Sequence, residues 1–375
     1  MSIPELYCPK SLAVPKVSFT TQPFVPSDVS HLLLVVILVN MKFSSLAAGA
    51  LLASAAIAAP IEQRQANIDV TILEFALTLE HLENVFYKEA LGNFTEQDFI
   101  DAGYSATYYN NVKYIATDEE SHVLFLEAAI TAAGYTPVAA CSYNFKFTNV
   151  DSFITLSSVL EGVGTSAYLG AAGLITSKAY LTAAGSILVT EALHTSMQRG
   201  AIGEVPMANP YGTPLDPMSV YTLAASFIVS CPSTNAALPF TAFPSLAVDG
   251  SVCTCEEPEC TPSQITKREP GWEGWSSTTS APAPSATAYC SPPMAGATIM
   301  LTAAKDVPAG SYVTFVSGLM ITSVKPSNIN GATVSVAIPS IAKGQTYVFI
   351  TNSDVEGTFS DSAVLFGPAV LEGKL

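Results

Sequence analysis

Four helix-length segments lie between residues 69 and 202, and each sets an acidic side chain on the face that should be buried. In the first, from about Asp69 to Ala90, Leu73, Leu77, Glu80 and Tyr87 share a face. In the second, from about Ser105 to Ala133, Tyr108, Val112, Ile115, Glu119, His122, Leu126 and Ala129 recur at helical spacing. The third, from about Asp151 to Ile175, aligns Ile154, Glu161, Tyr168 and Ile175, and the fourth, from about Lys178 to Ile202, aligns Leu188, Glu191 and His194. Glu119 and His122 are i,i+3 neighbours, as are Glu191 and His194, so each pair points to one place. The order is Glu-x6-Tyr followed by Glu-x-x-His, twice over.

Four carboxylates crowded into an apolar bundle would repel one another and lose their hydration. Two divalent cations, a charge of about +4, balance them. Dinuclear carboxylate bundles draw one Glu from each of two helices and a Glu-x-x-His from each of the other two, which is the set supplied here. Oxygen-rich ligation with one imidazole per ion favours two iron or manganese ions. Glu80, Glu119, His122, Glu161, Glu191 and His194 are therefore the expected ligands, with Glu119 and Glu191 bridging and Glu80 and Glu161 terminal. Tyr87 and Tyr168 are either hydrogen-bond donors that orient ligands or plain core aromatics. Glu83 is the rival to Glu80 on the first helix. His81 points away from Glu80 and is expected at the surface. Gly162, Gly164 and Gly170 allow close helix packing or open a path to the metals.

Connection lengths give the fold class. Short loops after the first and third helices make antiparallel neighbours, and the longer Gly134 to Val150 segment, with Pro137, can cross the bundle. Two antiparallel pairs joined by one long crossover is ferritin-like connectivity, so a mainly α protein is expected, with this bundle over 66–250. An extra short helix starts at Asp216-Pro217 and ends near Cys231-Pro232. Residues 251–296 read as a Cys/Pro/Ser/Thr-rich linker. Residues 297–375, with β-branched runs at 311–316, 332–338 and 345–351, read as a small all-β sandwich or barrel. With 12% charged residues and a net charge of -16, the chain lacks the basic surface that nucleic acid requires.

Residues 41–59 have the lysine, apolar run and small-residue end of a signal peptide. They do not stand at the start of the chain. Either residues 1–40 are a gene-model extension ahead of Met41, or the whole is one long signal-anchor. Removal of everything before Pro60 discards Cys8 and leaves Cys141, Cys231, Cys253, Cys255, Cys260 and Cys290, an even set that suits three disulfides in a secreted chain. The sequon at Asn93 fits glycosylation of an interhelical loop.

The stretches 77–87, 118–129, 160–172 and 189–202 resemble the secreted ferritin-like proteins of filamentous fungi and yeasts, the Rds1-type stress-response and late sexual development proteins, with plant desiccation-related proteins as cousins. The resemblance covers about residues 41–250. It implies an extracellular or cell-wall location and a link to stress or development, but no settled reaction. More distantly, the six ligands match those of rubrerythrin-type di-iron proteins, whose rubredoxin-like iron centre is missing here. Two functions follow as expectations: an oxidant- or iron-handling metal oxidoreductase, or a non-catalytic extracellular scaffold whose β domain binds cell wall or another partner.

Overall fold

The computed structural model describes residues 68–249 and 294–373. The N-terminal extension, the signal peptide and nearly all of the linker, with Cys253, Cys255, Cys260 and Cys290, lie outside the described residues. Four long helices carry the first half: α1 (Ile68–Asn93), α3 (Ala106–Ala132), α4 (Val150–Ala171) and α5 (Lys178–Ala201), with a short α2 (Glu96–Asp101) between the first two. Side-chain caps start α2, α3, α4 and α5. Ser105 Oγ accepts from the Tyr108 amide, and Asn149 and Ser152 form a capping box at α4. Gly134 and Gly203, both at positive φ, follow the ends of α3 and α5, where a side chain would be strained.

Several boundaries differ from expectation. The α1–α3 connection is not simple loop, because Thr95 and Asp98 close a capping box that nucleates α2. Asn93 is accordingly the last residue of α1, and it is exposed. Helix α4 begins at Val150, one residue before Asp151, with Asn149 as its cap. The helix begun at Asp216 is α6 (Pro217–Ala225), and it stops before Cys231. The chain there turns into β2 (Ile228–Ser230), which pairs with β1 (Ser142–Tyr143) beside a Cys141–Cys231 disulfide. His81 is buried, which corrects the surface placement. Its Nε2 lies 2.9 Å from the Val138 carbonyl, while Glu74 accepts from the Val138 amide at 2.9 Å. The two side chains pin the crossover against α1.

The remaining strands are β3 (Leu246–Val248), β4 (Thr298–Ala303), β5 (Tyr312–Ser317), β6 (Met320–Val324), β7 (Asn328–Asn330), β8 (Thr333–Ala337), β9 (Gly344–Thr351) and β10 (Val364–Gly373). They form two antiparallel four-stranded sheets, β10-β9-β5-β6 and β3-β4-β8-β7, a sandwich. Leu246–Val248, inside the span assigned to the bundle, thus pairs with β4 in the second sheet, because its alternate side chains complete that edge.

Strands β5 and β9 are buried on both faces. Val313, Phe315, Val348 and Ile350 meet the other sheet, while Val316, Tyr347 and Phe349 join the helical core. Double burial removes the polar alternation and explains their near-continuous apolar runs. Tyr347 Oη lies 2.8 Å from Ser166 Oγ, Gln345 donates to the Val159 carbonyl at 3.2 Å, and Arg199 makes two 2.7 Å bonds to Glu372. Gly162 and Gly170 do serve close packing, though against Gln345 and the Leu215 backbone rather than another helix.

Candidate metal centre

The six expected ligands converge in the middle of the bundle. Glu80 of α1, Glu119 of α3, Glu161 of α4 and Glu191 of α5 are each 0% exposed. They fall into two overlapping groups: Glu80, Glu119, His122 and Glu191, and Glu119, Glu161, Glu191 and His194. In each group the ligand atoms lie within 4.8 Å of one another. Glu119 and Glu191 belong to both groups, the placement that bridging ligands need, and Glu80 and Glu161 to one each. His122 Nδ1 lies 3.2 Å from Glu80, 3.4 Å from Glu119 and 3.3 Å from Glu191. His194 Nδ1 lies 3.0 Å from Glu119 and 3.3 Å from Glu161.

The tyrosines cross over. Each stands seven residues after a core Glu in sequence, yet it donates to the Glu of the other half: Tyr87 to Glu161 and Tyr168 to Glu80. Both phenols are pushed well above their ordinary pKa, by burial first and then by the carboxylate each one faces. They therefore stay protonated donors. The crossed bonds fix Glu161 and Glu80 and leave Glu119 and Glu191 unbraced.

Three further polar residues stand against the cluster. Asp118 Oδ2 lies 3.2 Å from His194 Nε2, so an outward Nε2–H bond to Asp118 would leave the Nδ1 lone pair for a bound ion. Asp118 sits one residue before Glu119, off the core face, and reaches across to α5. Gln198 donates to Tyr87 at 3.0 Å and accepts from Tyr108. Its signal was legible: a polar residue two turns beyond Glu191 on the buried face. Glu83, the rival ligand, is also buried, and it joins the cluster beside Glu191 rather than replacing Glu80. A Cβ on Gly164 would meet Glu191 Oε2 at 2.7 Å and Glu83 Oε1 at 2.9 Å, so glycine lets both carboxylates lie close against α4 as they stand.

Two tests ask whether this cluster fits cations. Both oxygens of Glu119, both of Glu191, Glu161 Oε2 and His194 Nδ1 are buried without a hydrogen-bond partner. The imidazole contacts at 3.0–3.4 Å are close but badly aimed for hydrogen bonds. Buried polar atoms are rarely orphaned unless an ion or water completes them. Proton affinities agree. Burial, only partly offset by the two histidines, raises Glu119 to about 7. Burial and then the Glu119 charge push Glu191 well above the carboxylate range. Burial alone would lower His194, but Glu119 and Glu161 outweigh it and raise the imidazole to about 11. Against the same opposing burial, Glu119, Glu191 and Glu80 raise His122 far above its usual value. In the absence of metal, protons must do the work of cations. The buried Glu/His clusters can hold metal ions, and carboxylate and imidazole donors suit iron or manganese.

A bundle of this connectivity around a paired carboxylate–imidazole cluster defines a class, and residues 68–204 match the family model for the ferritin-like domain. These residues are a ferritin-like domain. Over 180 residues the chain is 28% identical to protein rds1 of the fission yeast Schizosaccharomyces pombe, which supports an Rds1-type fungal ferritin-like family. That match spans 48% of this chain and 44% of the relative's own length. Among solved structures, a conserved hypothetical protein, rv2844, from Mycobacterium tuberculosis aligns with 14% identity and a TM-score of 0.32, over 38% of this chain and 96% of its own.

Proposed function

We propose that this chain is a secreted ferritin-like protein that holds two iron or manganese ions and uses them to handle an oxidant or iron itself, in a fungal stress or developmental setting. One observation carries the metal reading: fully buried, orphaned carboxylate oxygens face two imidazole nitrogens in two overlapping groups. Bound there, the ions would supply adjacent redox-active Lewis acids. The chain's own part is to hold the ligands. Tyr87 and Tyr168 fix the terminal carboxylates, Asp118 sets the His194 tautomer, and the apolar helices keep bulk water from the centre. The signal-peptide pattern, the Asn93 sequon and the Cys141–Cys231 disulfide support an oxidising, extracellular location.

A scaffold reading has its own support. Arg199–Glu372 and the Tyr347 contacts fix the β sandwich to the bundle through β9 and β10, and the other sheet, β3-β4-β8-β7, would be the face offered to cell wall or another extracellular partner. Elemental analysis decides between the two. Residues 60–375, reconstituted anaerobically with Fe(II) or Mn(II), should carry about two ions per chain. A folded protein with none would leave the scaffold.

A further inference from the structure

A cavity of about 140 Å³ lies between α1, α4, α6 and β10, behind the metal cluster. Leu79, Leu82, Val163, Leu223, Phe227 and Val370 supply much of its wall. Ser226, exposed, stands at the rim, and its hydroxyl is spent on the Leu223 carbonyl. Among the described residues, the one ionisable lining residue is Glu83. Its carboxyl lies with Glu191 Oε2 over Gly164, so a single side chain separates the cavity from a bridging ligand. The other half of the bundle has no counterpart. The position three residues after Glu161 is Gly164, whereas three residues after Glu80 it is Glu83.

We infer that this cavity is a binding pocket for a small monohydroxy organic compound, a phenol or short alcohol, held next to the metal centre. The inference rests on the metal reading only for the word next; the pocket itself needs no metal. Size sets the upper limit, since an apolar cavity of roughly 150 Å³ accepts benzene. The walls demand an apolar body, because a water molecule needs two to four polar partners and the lining offers chiefly one carboxyl. That carboxyl offers a hydrogen-bond partner to one hydroxyl, and the acidic cluster behind it disfavours anions. A hydroxyl on Glu83 would lie on the Gly164 side, where Glu191 begins.

Calorimetry on the metal-free, full secreted chain tests this, with phenol and toluene as probes. Phenol should bind saturably and about tenfold more tightly than toluene, because toluene leaves the carboxyl unpaired. Ala224→Phe fills the cavity and should abolish binding; if it fails to fold, Val370→Phe from the opposite wall takes its place. Glu83→Leu should reverse the preference. Crystals under xenon pressure should show a peak in the cavity of the wild type and none in the filled variant. No saturable phenol binding by folded wild type, unchanged binding in the filled variant, or a wild-type preference for toluene each overturns the assignment. The metal reading fails separately, by elemental analysis. Phenol binding with no metal uptake keeps the pocket and removes its neighbour, whereas metal uptake without phenol binding does the reverse.

Discussion

The two halves of the bundle, α1 with α3 and α4 with α5, carry the same chemistry in the same order but different surroundings. Each half gives a core Glu, a Tyr and a Glu-x-x-His, and the tyrosines brace across the divide as a pseudo-twofold pair would. The equivalence ends one layer out. Glu83 in the first half faces Gly164 in the second. Asp118 precedes Glu119 and holds His194, whereas Thr190 precedes Glu191 and its hydroxyl turns back to the Ser186 carbonyl. Tyr87 is tied through Gln198 to Tyr108, while Tyr168 has Glu80 alone as its hydrogen-bond partner among the described residues. A duplicated ligand set can thus build two ion positions that are alike in donors and unlike in support.

Removal of the shared ligands should have the largest effect. Glu119→Ala with Glu191→Ala takes a donor pair from both groups, so both ions should be lost. Ligand linkage stabilises the loaded wild type by about 4 kcal/mol at a thousandfold excess of metal over Kd. The metal-free wild type, with its carboxylates still crowded, should melt no higher than the double variant. Melts with and without chelator give the comparison. A chelator-insensitive wild type, with the double variant melting earlier, would mean that the cluster is structural. Glu80→Ala and Glu161→Ala sharpen the comparison, because each should cost one ion and leave the other.

Next in size is the pH dependence of the metal-free protein. Unfolded, Glu119 releases its proton near the ordinary value of 4.5; folded, it holds it to about 7. Between those values the folded state binds more protons, so stability falls as pH rises. The histidines act in the same sense. Folded His194 keeps its proton to about 11 against 6.5 unfolded, so that stabilisation is present below 6.5 and drains away toward 11. Denaturant midpoints should decline from pH 4.5 upward without metal. With metal the slope should reverse at acid pH, because protons then compete with the ions for the ligands. A flat profile in both states would show that the cluster does not titrate.

How much of this was legible in the sequence follows from what sets each position. The convergence of the Glu-x-x-His side chains was readable because i,i+3 spacing fixes direction within one helix, whatever the neighbours do. The crossed Tyr–Glu pairing was not, since it depends on the offset between α1 and α4, which no single-helix pattern encodes. His81 was misplaced for a related reason: its partner is the Val138 carbonyl in the crossover, a contact between distant segments. The sandwich could be read as strands, but β3 could not be assigned, because Leu246–Val248 is three residues long and its partner lies across the 250–293 segment.

Asp118→Asn should separate the halves at moderate cost. Loss of a carboxylate that orients a ligating histidine lowers metal affinity roughly 10- to 100-fold. Only the ion beside His194 should weaken, so stepwise titration should resolve one tight and one loosened site. Equal weakening of both would mean that the bridging carboxylates couple the sites too strongly for the halves to differ.

The smallest expected effect compares the tyrosines. Tyr168→Phe deletes one donor and leaves one Glu80 oxygen unpaired. Tyr87→Phe does the same to Glu161 and also strands the Gln198 amide, which donates to Tyr87 at 3.0 Å. A buried polar group left unpaired costs about 1–3 kcal/mol. Without metal, Tyr87→Phe should therefore be the more damaging by about one such increment at its lower end. Removing the amide as well, by Gln198→Leu in the Tyr87→Phe background, strands the Tyr108 hydroxyl instead, because that hydroxyl donates to Gln198. The deficit should then persist rather than recover, and Tyr108→Phe as a third change should restore parity with Tyr168→Phe. Chemical denaturation of the five metal-free proteins measures each step. Equal losses for Tyr87→Phe and Tyr168→Phe would show that the Tyr108–Gln198–Tyr87 chain contributes nothing, and that in this layer the two halves are equivalent after all.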